Sequence, residues 1–265
     1  MTCGVFATAY ERGDRPALID LCAGLLYGYR RLVTEVTAAA SGLIRRGARP
    51  GQVVGVHVDT VAAQTLAVHT VIAAGGAAAP LDPALPVARL AERLSDCDAR
   101  MVITTPRLAE SAVRAADESR VRQVIAFGDA LGTVDFARLS RLGPAPLPSL
   151  DPATRPALLP ADGSALTHHD LLRAMGDLDR GVALTDADVL LVTWPPEGSG
   201  DLVALVGLAV SRGALVVAAH GLAPANLAGT LHDFGVTVTA LAGEGVERPG
   251  RERSPNMPTC YPHMP

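Results

Sequence analysis

Few residues in this sequence could do chemistry, and their spacing narrows what that chemistry would be. The four cysteines, Cys3, Cys22, Cys97 and Cys260, include no Cys-x-x-Cys pair and no zinc-type spacing. They read as reduced thiols of a cytoplasmic protein. His168 and His169 are adjacent. Neighbouring side chains on a helix diverge, so the pair reads as a surface or capping pair, and no metal site is expected. Asp186 and Asp188 flank a turn and read as solvated. Gly163-Ser164 runs on into Ala165-Leu166, which is not the Gly-x-Ser-x-Gly elbow of a nucleophilic serine. Glu197-Gly198-Ser199-Gly200-Asp201 reads as flexible and acidic, a candidate binding loop beside a cleft. Lysine is absent, so all 23 basic residues are arginine. Coding bias suffices to explain that, but it closes every reaction that needs a lysine.

These residues need a scaffold, and 265 residues can bury a substantial core. Hydrophobic residues make up 49% and aromatics only 3%. A core of Ala, Val and Leu suits helices packed on parallel strands. The net charge of −4, without a basic cluster in the sequence, argues against nucleic acid as a partner. No run approaches the ~20 apolar residues of a membrane span. The apolar stretch 202–210 is short and Arg212 ends it. Residues 1–10 lack the charged and apolar regions of a signal peptide, so none is expected.

Periodicity predicts strands at 14–20, 25–27, 53–58, 77–81, 100–104, 122–127, 189–193, 214–218 and 236–241. Helices are predicted at 29–46, 60–74, 86–95, 106–117, 167–181, 202–212 and 223–234, with a helical turn at 136–139. Thr60 is the expected N-cap of its helix, and Gly47 the stop of the first long one. The segment 142–152 carries four prolines and reads as a linker. Strands alternating with helices of this length mean βαβ units and parallel sheet. From Glu247 the chain is rich in Arg and Pro and is expected to be disordered.

Several segments in order resemble the N-terminal half of the adenylate-forming enzymes: acyl-CoA synthetases, aryl-CoA ligases and peptide-synthetase adenylation domains. Leu26-Tyr27-Gly28-Tyr29-Arg30-Arg31-Leu32 resembles the family's opening Leu-Thr-Tyr-x-x-Leu segment. Gly47-Ala48-Arg49-Pro50-Gly51-Gln52-Val53-Val54 resembles its Gly-Val-x-Pro-Gly-Asp-x-Val turn. Ala74-Gly75-Gly76-Ala77-Ala78-Ala79-Pro80-Leu81-Asp82-Pro83 resembles the adenylation-domain core motif almost residue for residue. Thr167-His168 and Asp170-Leu171-Leu172 resemble the helix after the phosphate loop. The resemblance spans roughly 14 to 241. It implies an α/β fold with two lobes of mainly parallel sheet flanked by helices. Residues 1–246 would form a truncated N-terminal domain with lobes of 14–46 plus 164–246, and of 47–150; a tail of 247–265 would follow.

The family joins a carboxylate to ATP, releasing pyrophosphate, then passes the acyl group to a thiol. Its members grip the triphosphate with a Ser/Thr/Gly-rich loop ending in Pro-Lys-Gly. Aligned without gaps, Asp162 stands at that lysine, Gly163 at the following glycine, and Arg155, Pro156, Leu158 and Leu159 replace the loop. Aligned with a gap, the loop is deleted between Leu159 and Gly163. Either way no cradle remains, and an Asp at ~4 Å opposes each phosphate charge by roughly 4 kcal/mol at an effective dielectric near 20. Gly163, Ser164 and Thr167 are the expected remnant of the cofactor-binding loop. Trp194, Glu197 and Gly198 fall at the family's acyl-pocket segment and are the candidate substrate-binding residues, although a lone Trp beside two prolines also suits packing. The later motifs and the C-terminal lid have no counterpart.

The resemblance with these losses implies a degenerate, truncated acyl-CoA synthetase-like protein, unable to form acyl-adenylates alone. It would act as a binding protein or as the partner of another chain or a second copy. No cofactor is expected, with ATP and Mg the requirement if activity is retained. The alternative is a residual enzyme using a carboxylic acid, aminoacyl or acyl-thioester substrate in the inter-lobe cleft, where an acyl or aryl small molecule could bind.

Overall fold

A computed structural model describes residues 2–149, 151–193, 200–241 and 245–248. The chain opens on a short helix α1 (Thr2–Phe6), then the hairpin β1 (Pro16–Asp20) and β2 (Leu25–Gly28), then α2 (Tyr29–Arg45). Units β3 (Val53–His57), α3 (Val61–Ala73), β4 (Ala77–Pro80), α4 (Val87–Asp96), β5 (Met101–Thr104), α5 (Ala109–Asp117) and β6 (Gln123–Ala126) follow. Next come β7 (Val134–Asp135), a 3₁₀ run over Phe136–Leu142, and the hairpin β8 (Pro156–Leu158) and β9 (Leu166–Thr167). The remainder is α6 (His168–Val182), β10 (Val189–Val192), α7 (Gly200–Arg212), β11 (Leu215–Ala218), α8 (Pro224–Asp233), β12 (Val238–Leu241) and β13 (Gly245–Glu247).

Two sheets result. The first has the order β13-β12-β10-β11-β1-β2, parallel except for its two terminal hairpins. The second has the order β7-β6-β5-β3-β4-β8-β9, parallel except for β8–β9. The expected α/β architecture of two mainly parallel sheets flanked by helices is therefore present. Among the described residues no helix is long and apolar enough to cross a membrane.

The helix α3 explains why the sheets hold together. Every residue from Val61 to Ile72 is buried, including Gln64, Thr65, His69 and Thr70. A helix apolar on nearly all faces has to lie inside. One core cluster joins it to Leu18, Leu190 and Val216 of the first sheet and to Val54, Ile103 and Ile125 of the second. Smaller clusters lie under α4 and α5 and under α8, on the outer faces. Thr60 caps α3 as expected, its hydroxyl accepting from Ala63 N at 3.1 Å. Gly47 takes φ 96° just past α2, where a glycine costs least.

The sequence reading missed α1, β7, β8, β9 and β13. The helix α1 is a single five-residue turn, too short for a period, and the strands have two or three residues each, so no alternation marks them; β8 also starts at a proline beside the proline-rich segment. The linker itself is strapped down. Arg45 donates to the carbonyls of Gly143 and Pro144. Glu247 lies in β13 and Arg248 bonds back onto the fold, two residues into the stretch expected to be disordered. Residues 249–265 lie outside the described residues.

Candidate functional site

The hairpin β8–β9 presents the residues expected to be the phosphate-loop remnant. It follows β4 in the sheet, with Leu158 in register with Ala78. Gly163 takes φ 82°, which lets the chain reverse within a few residues. Its amide donates to Pro160 O at 3.1 Å. Asp162 closes the turn: one carboxylate oxygen accepts from Ser164 N at 2.8 Å and from the Ser164 hydroxyl at 2.7 Å. These two bonds hold the Asp162 carboxyl below the usual carboxylate range. Thr167 is the N-cap of α6 in a reciprocal capping box. Its hydroxyl accepts from Asp170 N at 3.1 Å, while Asp170 accepts from Thr167 N at 3.0 Å.

So the amides of Gly163, Ser164 and Thr167 all point at partners within the chain. A cavity of about 490 Å³ lies over this turn, bounded also by Leu171 of α6 and Gly200 of α7. Three carboxylates, Asp82, Asp162 and Asp201, line it, and among the described residues no arginine does. Arg93 approaches from α4, but donates to the carbonyl of Ala161. This donor set does not fit a nucleotide triphosphate. Nor do the described residues hold a group of three or more His, Cys, Asp or Glu able to bind a metal ion. Trp194, Glu197 and Gly198, the candidate substrate-binding residues, lie outside the described residues. His168 is buried and His169 is exposed, so the two do diverge at the start of α6.

A larger cleft of about 840 Å³ opens elsewhere between the lobes. Leu25 and Tyr27 of β2 face Leu66 of α3, and Phe127 and Phe136 close the far wall. The two phenylalanine rings stack with centroids 4.2 Å apart. Two ion pairs line it, Arg31–Glu35 and Arg107–Asp59. Burial would raise the Asp59 carboxyl, but Thr105 and Arg107 bond to it and leave it below the ordinary range. Asp20, buried at the end of β1, accepts from Cys22 N, Ala23 N and, at 2.9 Å, Ala62 N in the first turn of α3. It thereby ties the turn between β1 and β2, including the cleft residue Ala23, to the start of α3. The lining comes from segments far apart in sequence, and no spacing signal connects them.

Of the two acids expected to be solvated at the turn before β10, one is and the other is not. Asp186 is exposed and pairs with Arg15, as a turn residue would. Asp188 is buried instead. It accepts from Thr185, Thr237 and Arg248, and these bonds outweigh the upward push of burial and hold its carboxyl well below the usual range. Its partner Arg248 lies 60 residues away, beyond any local pattern. Cys22 and Cys97 are free thiols.

Two parallel-rich sheets around a buried helix define the N-terminal domain architecture of the adenylate-forming enzymes. The AMP-binding enzyme family matches residues 5–157, more than half of the chain, and the chain belongs to that family. It is 40% identical over 97 residues to enterobactin synthase component F of Shigella flexneri, covering 37% of this chain and 7% of that protein. The structure of MbtA from Mycobacterium smegmatis aligns with a TM-score of 0.75 at 28% identity, over 91% of this chain and 48% of that one. A long-chain-fatty-acid-CoA ligase from Archaeoglobus fulgidus has a TM-score of 0.80 at 20% identity, over 89% and 50%, and shares the fold. The chain thus spans about half the length of these solved structures.

Proposed function

We propose that this chain is an AMP-binding-family protein that does not form acyl-adenylates by itself and serves as a binding protein or partner. One observation carries the reading. Where the family resemblance puts the phosphate grip, the turn is closed by its own acid, and among the described residues the space above it is lined by three aspartates without a cation. A triphosphate entering there meets repulsion and finds the Gly163, Ser164 and Thr167 amides already taken. The test is ATP–pyrophosphate exchange by the purified chain across a panel of carboxylic, aryl and amino acids. The expected result is no exchange above background with any of them; robust exchange with one would overturn the proposal.

The partner half of the reading is supported by β2. It is the edge strand of the first sheet and leaves Leu25 and Leu26 about 40% exposed. Apolar residues on an open edge invite pairing with another chain. Light scattering over a concentration series is expected to show self-association unless a dedicated partner is present.

The large cleft favours a second reading, in which an acyl or aryl small molecule binds between the lobes. Its volume lies in the range of small-molecule sites, its wall includes Leu25, Tyr27, Leu66, Phe127 and Phe136, and it carries the ion pairs Arg31–Glu35 and Arg107–Asp59. Aryl acids or acyl-CoA, but not ATP, should then raise the melting temperature. Absence of a shift with all of them would remove this reading.

A further inference from the structure

The opposite end of the second sheet carries a feature that the family chemistry does not use. The parallel strands β3, β5 and β6 lie side by side, with Met101 in register with Gln123. The residues just before them, Arg100 and Arg122, are therefore lateral neighbours, tied by Arg122 N donating to Arg100 O at 2.9 Å. Strands in a sheet are about 4.8 Å apart, so the register sets two positive residues next to each other. The end of α2 and the turn after it bring Arg46 and Arg49 over the same spot. Together the four arginines, with Gln52 and Gln123, line a concavity of about 570 Å³ that has no acid in its wall among the described residues.

Neutralisation is incomplete. Arg100 pairs with Asp98 at 3.0 Å, but Asp98 also pairs with Arg120. Arg46 is held by amides alone: its Nε donates to Gln123 Oε1 at 3.0 Å, and Gln123 Nε2 donates back to Arg46 O at 3.2 Å. The side chains of Arg49 and Arg122 have no hydrogen-bond or ion-pair partner among the described residues. In a chain of net charge −4, four arginines line this concavity, and the one carboxylate that pairs with any of them, Asp98 on Arg100, is shared with Arg120. Glutamine fixes one of the guanidinium groups and the strand register fixes the base of two. Guanidinium groups gathered in a concave site, two of them without a partner among the described residues, suit an oxyanion that can accept paired N–H bonds from several directions.

We propose that this concavity is a binding site for a small phosphate-bearing anion, taken through two or more phosphate oxygens, and distinct from the aspartate-lined turn of β8–β9. The source is either free pyrophosphate or the phosphates of a nucleotide. The test is calorimetric titration of the whole chain with pyrophosphate and, separately, with ATP, at low and at physiological salt. Wild type should bind pyrophosphate saturably at one site. Arg49→Gln with Arg122→Gln should weaken it by about tenfold or more. The charge-matched control Arg89→Gln with Arg114→Gln, on α4 and α5, should leave it unchanged. Equal affinity for ATP and pyrophosphate would mean that phosphate alone is read, and tighter ATP that the nucleoside adds contacts. No saturable binding by wild type, or equal weakening in both double variants, would overturn the proposal. A circular-dichroism spectrum of each variant separates loss of the site from loss of the fold.

Discussion

His57 and His69 show how single residues couple this fold to pH. Burial pushes both imidazoles down to about 4, opposed at His57 first by the Pro83 backbone and then by the charges of Asp59 and Asp82. In the unfolded chain each returns to about 6.5. Between those values the unfolded state takes up protons that the folded state refuses, so stability is complete near pH 7 and falls as pH drops through 6.5 toward 4. The loss from pH 7 to pH 5 should be roughly 3 kcal/mol for the pair. Urea unfolding at pH 7, 6 and 5 measures it, and His57→Asn should remove about half of the dependence. A midpoint that does not move across this range would contradict the assignment. Asp188 acts lower on the scale: its carboxyl is depressed in the folded chain, so its contribution is lost only as pH falls below about 4.

At the scale of elements, what the sequence could reveal depended on whether a residue's reason was local. Thr60 caps α3 and Thr167 caps α6 through neighbours three residues away, and periodicity located both helices to within a residue or two. Asp162, Gly163 and Ser164 could be singled out from the sequence itself, but the β8–β9 hairpin that carries them could not. Gly42 was not interpretable in that way. It sits inside α2, where Ala would be the better helix former by about 1 kcal/mol. A Cβ there would stand 2.6 Å from the carbonyl carbon of Leu139, in the 3₁₀ run that packs across the helix. The obstacle is backbone, which cannot swing away, so Gly42→Ala should destabilise by about 2 kcal/mol despite the gain in propensity. Chemical denaturation decides it; a variant as stable as wild type would mean that the 3₁₀ run can retreat. The arginine concavity and the inter-lobe cleft were hidden for the same reason as this contact, since each is assembled from segments that only the folded chain brings together.

At the scale of the molecule, the position of α3 makes a claim about cooperativity. Two sheets in a chain of 265 residues could unfold separately, as lobes with their own cores do. Here the dominant core cluster belongs to both, because α3 has no free face to give to one alone. Asp20 adds a polar tie, accepting the Ala62 amide of α3 from the end of a strand in the first sheet. Removing packing from the middle of α3 should therefore weaken both lobes at once. Leu66, 1% exposed and also part of the cleft wall, is the place to do it. Leu66→Ala should cost about 3 kcal/mol. Its unfolding should remain a single transition, with near-ultraviolet and far-ultraviolet dichroism changing together. Two separated transitions in the variant, with part of the secondary structure surviving the first, would show that one sheet stands without the helix. A single shifted transition would mean that neither sheet persists without it, and that any ligand gripping the cleft across Leu66 stabilises the whole chain rather than one lobe.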